Sequence, residues 1–413
     1  MKYVIIGNSA AGIGAVEGIR SIDKQGEITI ITDEAHHTYS RPLISYLLLG
    51  KVTEESMRYR GENFYKDNNC AVLADSVAEK IDTITKDVVL KYGKKVPYDK
   101  LLVATGSSPF VPPIQGLDAV WKKFTFMSLD DALKLDAELN TDKRVLIVGA
   151  GLIGLKCAEG IHERVKQITV LDLAPRILSS ILDDDGAKLV QSHLESRGIG
   201  FKLSANIKSI RFNTATLDSG ETIEFDILVL AVGVRPNTAL LNGVAKIEKG
   251  IVVNGKSETS SPGIYAAGDC SQTLDISSGQ SKIMALLPNA YMQGECAGIN
   301  MAGGDKSFDK AIPMNAIGFF GLHIITAGNY SGSVYAEGIT TDNGKGNYRR
   351  IFYSDNKLNG YILIGNVEKA GIYTSLIRER TPLDTIDFAL VCEKPGLMAF
   401  RKEDRMLKLG GAS

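Results

Sequence analysis

The pattern of apolar and polar residues along the chain predicts two separate strand–helix–strand units. In the first unit, the apolar run KYVIIG begins at Lys2, a helix-like stretch covers residues 10–22, and the strand-like run EITIITDE follows. The second unit repeats this order as RVLIVG from Arg144, a helix-like stretch at about 152–165, and QITVLD. Short runs rich in Val and Ile that alternate with helical segments are typical of parallel sheets. The chain is therefore predicted to belong to the α/β class.

Closely spaced glycines follow the first strand of each unit. The first unit reads KYVIIGNSAAG over residues 2–12, and the second reads RVLIVGAGLIG over residues 144–154. A tight turn of this kind brings the amide groups of a helix N-terminus up to the pyrophosphate of a dinucleotide. The second copy is a complete GxGxxG, whereas Ser9 occupies the middle position of the first and leaves less room beside the phosphates. Two such turns predict two nucleotides and electron transfer between them.

Further elements are predicted outside these units. Ser128, with Asp131 three residues later, predicts a capped helix start. A helix-like segment occupies residues 369–379. Additional strand-like runs lie at 85–104, as a hairpin and one more strand, at 226–233, at 263–269, and from about residue 326 onward. These runs extend the predicted sheets and add a region of different pattern near the C-terminal end.

Composition narrows the class of protein. Of 413 residues, 44% are hydrophobic and 23% are charged, and the formal net charge is −1, so nothing favours binding to nucleic acid or a membrane surface. No run of 18 apolar residues and no leader-like segment is present, so a cytoplasmic location is expected. The five cysteines form no CxxC pair, which favours neither disulfides nor a zinc site. His36 and His37 lack a third ligand at metal spacing, so no metal site is predicted.

Four motifs, in this order, resemble those of the FAD-dependent pyridine-nucleotide reductases of the glutathione-reductase structural class. They are the first glycine turn, ATG at 104–106, GAGLIG at 149–154 and TSSPGIYAAGD at 259–269, and the match covers roughly residues 1–330. Within that class, TYSRPLIS at 38–45 is similar to the rubredoxin reductases and to the flavin module of NADH-dependent nitrite reductases. Each motif is moderately specific, and their order and spacing together are highly specific.

The resemblance implies an α/β fold of two Rossmann-like three-layer domains and a small α+β C-terminal domain. The expected FAD-binding domain has two parts, residues 1–115 and 249–325. The expected NAD-binding domain covers residues 116–248, and the C-terminal domain covers residues 326–413.

The resemblance also implies which residues hold FAD. The first glycine turn would face the pyrophosphate, the acids closing the second strand would receive ribose hydroxyls, and Asp269 would bind a ribitol hydroxyl. The helix beginning near Leu287 would direct its positive end at the flavin. A simple turn at Asp269 and a plain core helix at Leu287 are the alternatives. The implied residues are Gly7, Ser9, Ala11, Gly12, Asp33, Glu34, Arg41, Pro42, Ala104, Thr105, Gly106, Gly268, Asp269, Leu287 and Pro288.

The second glycine turn and the acid after the next strand predict binding of NAD(H). Asp172 can accept hydrogen bonds from both adenosine ribose hydroxyls and would repel a 2′-phosphate, so NADH is expected rather than NADPH. Arg176 leaves the alternative open, because a nearby guanidinium can pair with a 2′-phosphate. The predicted residues are Gly149, Gly151, Ile153, Gly154, Asp172 and Gly233.

Position 42 separates the chemistries found in the class. Thiol-dependent members carry a redox cysteine in this segment, and Pro42 occupies its position here, so disulfide chemistry is not expected. Arg41 matches the position where rubredoxin reductases carry a lysine beside flavin N5, although a surface arginine is the alternative. Lys156 stands where the glutamate partner of that lysine occurs, and Glu159 one turn later could substitute. Arg41 and Glu159 are therefore the predicted catalytic residues; without that substitution, two cations would flank N5 and raise the flavin potential.

These residues predict an NADH-dependent flavoprotein, monomeric or homodimeric, that passes a hydride from NADH to FAD and then single electrons to an iron protein. Rubredoxin, a ferredoxin-type protein or an iron–sulfur subunit is the expected partner. The reverse direction, reduction of NAD⁺, stays open. Two alternatives remain: an NADH oxidase that uses O₂, and a flavin subunit that works only within a larger redox complex.

Overall fold

The computed structural model describes residues 1–342 and 345–409, which fall into two compact units. The first unit comprises residues 1–178, 195–274 and 281–309. The second unit comprises residues 179–194, 275–280 and the chain from 310 onward.

Helices alternate with strands in the two strand–helix–strand regions, and runs of consecutive strands make up much of the remaining described chain. The helices are α1 Ala10–Ile22, α2 Ile44–Leu48, α3 Phe64–Asp67, α4 Leu129–Asp136, α5 Leu152–Ile161, α6 Asp184–Glu195, α7 Leu287–Met301, α8 Ala370–Arg378, α9 Phe388–Glu393 and α10 Lys402–Leu409. The strands of the first unit are β1 Lys2–Ile6, β2 Glu27–Ile31, β3 Cys70–Leu73, β4 Ala78–Asp82, β5 Asp87–Leu90, β6 Lys95–Pro97, β7 Lys100–Val103, β8 Ser107–Pro109, β9 Lys123–Thr125, β10 Arg144–Val148, β11 Gln167–Leu171, β12 Ile199–Lys202, β13 Ile207–Arg211, β14 Thr214–Leu217, β15 Thr222–Glu224, β16 Ile227–Leu230, β17 Val234–Pro236, β18 Ile251–Val252 and β19 Ile264–Ala266. Strands β20 Ser271–Asp275 and β21 Gln280–Lys282 follow, and then β22 Met314–Phe319, β23 Leu322–Gly328, β24 Ser333–Asp342, β25 Lys345–Ser354 and β26 Lys357–Ile364.

The first parallel sheet has the order β19-β7-β1-β2-β3 and lies between two other layers. Successive side chains of a strand point to opposite faces, so β1 serves both sides. Tyr3 and Ile5 pack with apolar residues of α1 and α7. Val4 and Ile6 pack with the antiparallel sheet β4-β5-β6, which contributes Val88 among others. This is the predicted three-layer arrangement.

The second parallel sheet repeats this plan in the order β12-β11-β10-β16-β9. Leu146 and Val148 of β10 pack against the antiparallel sheet β13-β14-β15 through Ile207 and Ile210. Strand β8 follows β7 of the first parallel sheet, and β17 follows β16 of the second. These two short strands pair with each other in an antiparallel register. The two parallel sheets are thus joined by paired backbone as well as by the chain.

The second unit is built on the antiparallel sheet β22-β23-β26-β25-β24. Its core combines strand residues such as Tyr361 with Tyr373 and Leu376 of α8. The Tyr373 hydroxyl donates to the Val391 carbonyl at 3.0 Å and holds α9 to α8. The sheet begins at Met314, before the change of sequence pattern near residue 326. With two Rossmann-like three-layer regions and this α+β part, the predicted fold class is confirmed.

Two local predictions can be compared with the helices. Ser128 and Asp131 form a reciprocal capping box at the start of α4, as predicted. The second predicted helix extends to about 165, but α5 ends at Ile161 and residues 162–164 form a 3₁₀ turn. The His162 ring lies 3.0 Å from the Glu159 carbonyl, which would otherwise accept the next helical hydrogen bond.

Candidate functional site

The first glycines of the two turns have nearly the same backbone geometry. Gly7 has φ +119° and Gly149 has φ +116°, values that residues with a side chain rarely adopt. A Cβ atom on Gly7 would lie 2.1 Å from the Ala104 carbonyl oxygen, and one on Gly149 would lie 2.2 Å from that of Ala231. Both positions therefore require glycine, because the residue after a neighbouring parallel strand, β7 for the first turn and β16 for the second, blocks a side chain in the same way.

The last glycines of the two turns have the same steric surroundings, whereas the middle positions differ. A Cβ atom on Gly12 or Gly154 would lie 2.1 or 2.0 Å from the carbonyl of the first glycine in its own turn. Gly151 has no neighbouring atom within 4 Å of such a Cβ, so its surface is open. Ser9 is the N-cap residue of α1, and its side chain makes no cap hydrogen bond. The N-cap residue of α5 is Gly151, which has no side chain, so no N-cap side chain bonds to the first amides of either helix. These amides are suited to an anion.

Asp172 follows β11 and is held against the second glycine turn. Its two carboxylate oxygens accept hydrogen bonds from the amides of Ala150 at 2.6 Å and Ala174 at 2.7 Å. Ile153 lies in the first turn of α5, and Arg176 lies in the loop after Asp172. The carboxylate is therefore fixed where the glycine turn and the end of β11 meet.

Beside the first glycine turn, the corresponding carboxylate belongs to a network of three side chains. Thr32, rather than an acid, directly follows β2. Glu34 pairs with the Arg41 guanidinium and accepts from the Tyr39 hydroxyl at 2.7 Å. Asp33 beside it is exposed. The predicted residues Glu34 and Arg41 are thus in direct contact.

This network also holds the segment that leads into α4. The Tyr39 hydroxyl accepts from the Leu129 amide at 2.9 Å, and Arg41 donates to the Met127 carbonyl at 3.2 Å. The His36 ring contacts Asp130 at 2.7 Å. Burial raises the pKa of Tyr39, so it stays a neutral donor to Glu34.

The cation that Glu159 contacts is Lys156. Glu159 is only 5% exposed and forms an ion pair with Lys156, one turn earlier on α5. The Lys156 ammonium lies 4.6 Å from the centre of the Tyr46 ring on α2. Pro42 lies in the 3₁₀ turn that leads into α2. Arg41 and Glu159 are both predicted to be catalytic. In the structure, Arg41 forms an ion pair with Glu34, whereas Glu159 forms one with Lys156.

The end of β19 meets the starts of α1 and α7. Gly268 has φ +80°, and a Cβ there would lie 3.3 Å from that of Ala11. Its amide donates to the Gln293 side-chain oxygen at 2.9 Å. Asp269 accepts from the Ser107 hydroxyl at 3.1 Å. Burial raises the pKa of Asp269, opposed by the hydrogen bond from Ser107.

Four glycines bring α1 and α7 into backbone contact, a feature the sequence analysis missed. A Cβ on Gly14, Gly18, Gly294 or Gly298 would lie 2.0–2.3 Å from a carbonyl oxygen of the other helix. The repeated spacing of small residues four apart on both helices was the available signal. The contact sets the position of the first turn of α7, which contains the predicted residues Leu287 and Pro288.

The segments after β7 and β16 are tied together near the glycine turns. The Thr105 hydroxyl donates to the Asn237 carbonyl at 2.7 Å, and the Asn237 amide groups donate to the carbonyls of Thr105 and Gly106 at 2.9 and 3.0 Å. Gly233 has φ +108° and open space where a Cβ would stand. These bonds connect the loops of the two parallel sheets.

Polar atoms without partners lie close to the first glycine turn. Tyr65 donates to the Asn8 side-chain oxygen at 2.9 Å and accepts from the Thr38 amide at 3.1 Å. Within residues 1–342 and 345–409, the Thr38 hydroxyl and the His37 Nε2 atom are buried and have no hydrogen-bond partner. Buried polar groups are normally paired, so these atoms are suited to a polar ligand beside the turn.

The described part of the chain also bears on metal binding and on membrane insertion. No three His, Cys, Asp or Glu side chains there are grouped so that they could hold a metal ion. None of the described helices has the length and apolar character needed to cross a membrane.

Comparisons with known proteins agree with this geometry. The model of the pyridine nucleotide-disulphide oxidoreductase family matches residues 1–294, and that of the rubredoxin NAD⁺ reductase C-terminal domain matches residues 313–381. The NADH-dependent phenylglyoxylate dehydrogenase subunit epsilon of Aromatoleum evansii is 32% identical over 393 residues, which cover 92% of each protein. Nitrite reductase (NAD(P)H) of Bacillus subtilis is 30% identical over 92% of this chain, which spans about half (48%) of that relative.

A solved structure shares both architecture and sequence. The NADH:rubredoxin oxidoreductase of Clostridium acetobutylicum has a TM-score of 0.74 and 27% identity, and the match covers 93% of this chain and 96% of that one. The family model matches well over half of the chain and establishes the family. The chain belongs to the pyridine nucleotide-disulphide oxidoreductase family and is an oxidoreductase.

Proposed function

We propose that this chain is an NADH-dependent flavoprotein that binds FAD at the first glycine turn and NADH at the second, and that it delivers electrons to a small iron protein. The observation that carries the proposal is the pair of glycine turns with one backbone geometry, Gly7 and Gly149, on two sheets joined by paired strands. Two dinucleotides held in one body can exchange electrons directly.

The residues around the first turn fit FAD. The first amides of α1 are suited to its pyrophosphate, and the unpartnered Thr38 hydroxyl and His37 nitrogen are available to polar groups of the same ligand. Asp269 is partly buried just after β19, beside the glycine that lets the backbone approach. Its proposed role is to accept a hydroxyl of the ribityl chain.

The first turn of α7 completes the proposed FAD site. Leu287 and Pro288 would lie beside the flavin, with the positive end of the helix directed at it. The glycine contact between α1 and α7 fixes that helix relative to the pyrophosphate end. Burial raises the pKa of Asp269, and the hydrogen bond from Ser107 and the charge of Arg41 oppose that effect. Arg41 is proposed to lie beside the same ligand.

The residues around the second turn fit NADH. Gly151 is open toward a phosphate, and the Asp172 carboxylate is fixed by two backbone amides at the end of the next strand. A fixed negative charge accepts two ribose hydroxyls and repels a 2′-phosphate. NADH is therefore the proposed donor.

When bound, FAD supplies the chemistry that joins a two-electron donor to a one-electron acceptor. The chain itself holds the two nucleotides and offers no activated thiol. Cys157, Cys270, Cys296 and Cys392 are buried, Cys70 is half-buried, and none forms a disulfide. Burial raises the pKa of each, to about 11 for Cys70, so a thiolate is disfavoured. Electrons are therefore proposed to leave without a cysteine relay.

The proposed acceptor is rubredoxin or a ferredoxin-type protein. Support comes from the C-terminal family model, whose description names rubredoxin NAD⁺ reductase, and from the solved rubredoxin oxidoreductase that covers nearly the whole chain. The domains proposed for this activity keep the predicted division: residues 1–115 with 249–325 for FAD, 116–248 for NADH, and 326–413 at the C-terminal end.

Anaerobic titration tests the proposal. The full-length protein is reduced with NADH or NADPH, flavin bleaching is followed, and reoxidation by rubredoxin, ferredoxin, O₂ and a disulfide is compared. We expect bleaching with NADH and fast reoxidation by an iron protein. Absence of bound flavin would contradict the proposal as a whole. Fast reoxidation by a disulfide would contradict the argument from the cysteines. Fast reoxidation by O₂ alone would identify an NADH oxidase.

A second candidate function is that of a flavin subunit within a larger redox complex. The observation that favours it is the relative from Aromatoleum evansii, which is named as a subunit and matches over 92% of both chains. A subunit of this kind would bleach with NADH but transfer electrons slowly to free carriers. Isolation of the protein from its source under gentle conditions, followed by sizing and iron analysis, separates the two functions.

A further inference from the structure

The helices α2 and α5 connect the two proposed nucleotide sites. Helix α5 starts directly after the second glycine turn, and α2 follows the turn that contains Arg41 and Pro42. A Cβ atom on Gly160 of α5 would lie 3.0 Å from the Ser45 carbonyl of α2, so the helices are in close contact. Arg164, just after α5, donates to the Leu48 carbonyl at 3.3 Å. The two helices therefore form a seam between the FAD side and the NADH side.

A cluster of three side chains lies at the end of this seam nearer the second glycine turn. Lys156 and Glu159 both belong to α5, and the Lys156 side chain is only 17% exposed. A carboxylate as buried as Glu159 requires a charged or hydrogen-bonding partner, which Lys156 provides. The contribution of α2 is the face of the Tyr46 ring, 4.6 Å from the ammonium, where a cation is attracted by the ring quadrupole.

We propose that Lys156 is a positioning residue for the reaction of NADH: held by Glu159 and lying over Tyr46, its charge fixes α5 against α2. This inference deepens the proposed function and rests on it. The second glycine turn leads directly into α5, so the packing of α5 against α2 sets where that turn holds NADH. The charged members of the cluster are on the NADH side, and the neutral ring is on the FAD side.

The charge at position 156 should therefore affect how NADH binds more than how fast it reacts. Lys156→Gln removes a charged partner of the buried Glu159 and the attraction to the ring, so the seam loosens beside the second glycine turn. We expect the KM for NADH to rise roughly tenfold while kcat changes by less than about threefold. Lys156→Arg keeps the charge and should stay within about threefold of the wild type in both constants.

Exchange of the charge across the seam gives the sharper test. Lys156→Glu places a second carboxylate beside Glu159, and Tyr46→Lys places a second cation beside Lys156, so each single variant should bind nucleotide roughly tenfold more weakly. In the double variant the lysine at 46 faces two carboxylates, and affinity should recover. The readouts are the dissociation constant for NAD⁺, followed by flavin fluorescence, the KM and kcat for NADH, and the thermal unfolding midpoint of the flavin-loaded full chain.

The control is Lys166→Gln, which removes an exposed lysine from the same unit. A double variant no better than the worse single variant would overturn the proposal, and so would a Lys156→Gln variant with unchanged NAD⁺ affinity and KM. If only the unfolding midpoint changes, Lys156 is structural and the positioning role is wrong. Should Lys156→Gln fail to fold, the charge exchange and the Lys156→Arg rescue still decide. Failure of the proposed function appears separately, as a wild-type protein that NADH does not reduce.

Discussion

The two glycine turns of the chain have the same backbone and different surroundings. The pairing of β1 with β2 runs from Lys2–Glu27 to Ile6–Ile31, and that of β10 with β11 runs from Arg144–Gln167 to Val148–Leu171. The first glycine of each turn then donates to the carbonyl at the end of the second strand, at 2.8 and 2.7 Å. In strand pairing and in this backbone hydrogen bond, the two turns are alike.

The difference begins one residue beyond these paired strands. The first parallel sheet has Thr32 there, and the nearby carboxylate is Glu34, which contacts both Tyr39 and Arg41. The second parallel sheet has Asp172, whose carboxylate accepts hydrogen bonds from two backbone amides of the adjacent loops. The helices differ as well, because α1 packs on α7 through backbone contact, whereas α5 packs on α2 around a charged cluster. The comparison teaches that the glycines set the shape of each turn, and it supports the proposal that neighbouring residues select the nucleotide.

The largest expected effect removes the geometry that both turns share. Gly7→Ala and Gly149→Ala each combine a left-handed φ with a Cβ about 2 Å from a carbonyl oxygen. Strain and overpacking together should cost about 3–5 kcal/mol of unfolding free energy in either turn. Gly50→Ala is the control, because φ is +66° there but no atom lies within 4 Å. Chemical denaturation measures the three variants, and a Gly7 variant as stable as the control would refute the shared geometry.

The next-largest effect distinguishes the α1–α7 contact from the α2–α5 contact. A Cβ on Gly294 would lie 2.0 Å from the Ala11 carbonyl, whereas one on Gly160 of α5 would lie 3.0 Å from the Ser45 carbonyl. We expect Gly294→Ala to cost about 3 kcal/mol and to release FAD, and Gly160→Ala to cost about 1 kcal/mol. Unfolding curves and the ratio of flavin to protein after gel filtration provide the measurement. Equal losses in the two variants would mean that the α1–α7 contact is not special.

The two acids at the sites should respond to neutralisation with opposite signs. Because burial raises the folded pKa of Asp269 above its ordinary value of 3.8, the unfolded chain loses this proton first as the pH rises. The stability contribution therefore falls between pH 3.8 and the folded pKa and stays low above it. Asp269→Asn should stabilise the FAD-free protein at neutral pH, with the difference disappearing below pH 3.8, and should weaken FAD binding.

Asp172→Asn is the counterpart of that variant. It weakens the two hydrogen bonds from the amides of Ala150 and Ala174, so a loss of about 1–3 kcal/mol is expected at neutral pH. Discrimination against NADPH should decrease at the same time. Thermal unfolding across pH 3–8 tests both acids together. Destabilisation by Asp269→Asn at neutral pH would show that its charge is well solvated or paired.

The smallest effect concerns the middle position of each turn. Ser9 makes no cap hydrogen bond, and Gly151 has open space at its Cβ, so Ser9→Gly and Gly151→Ser should each change stability by less than about 0.5 kcal/mol. Only nucleotide binding should respond, with a higher KM for NADH in Gly151→Ser, since the added side chain occupies the space beside the phosphates. A large loss of stability in either variant would show that the middle position supports the fold.

Much of this molecule could be predicted from the sequence alone because the signals are local. The Val- and Ile-rich runs and the following glycines specify the strands and the turns, and Ser128 with Asp131 specifies the start of α4. These patterns act within a few residues, through side-chain alternation, positive φ and capping. The α/β class and the two glycine turns therefore followed from the sequence alone, whereas the plan of two Rossmann-like domains was implied by the resemblance to a known family.

Only the tertiary structure decided which side chains meet across these elements. The contact of Glu34 with Arg41, of Lys156 with Tyr46 and of Gly268 with Gln293 joins segments whose spacing in the chain has no periodic signature. The glycine spacing of α1 and α7 was visible in each helix, but nothing local indicated that the two helices pair. The partners of charged and polar groups depend on how separate segments pack. A buried charge needs a partner, and the packing determines which residue provides it. The sequence by itself determined the two turns, and the packing around them determined their partners.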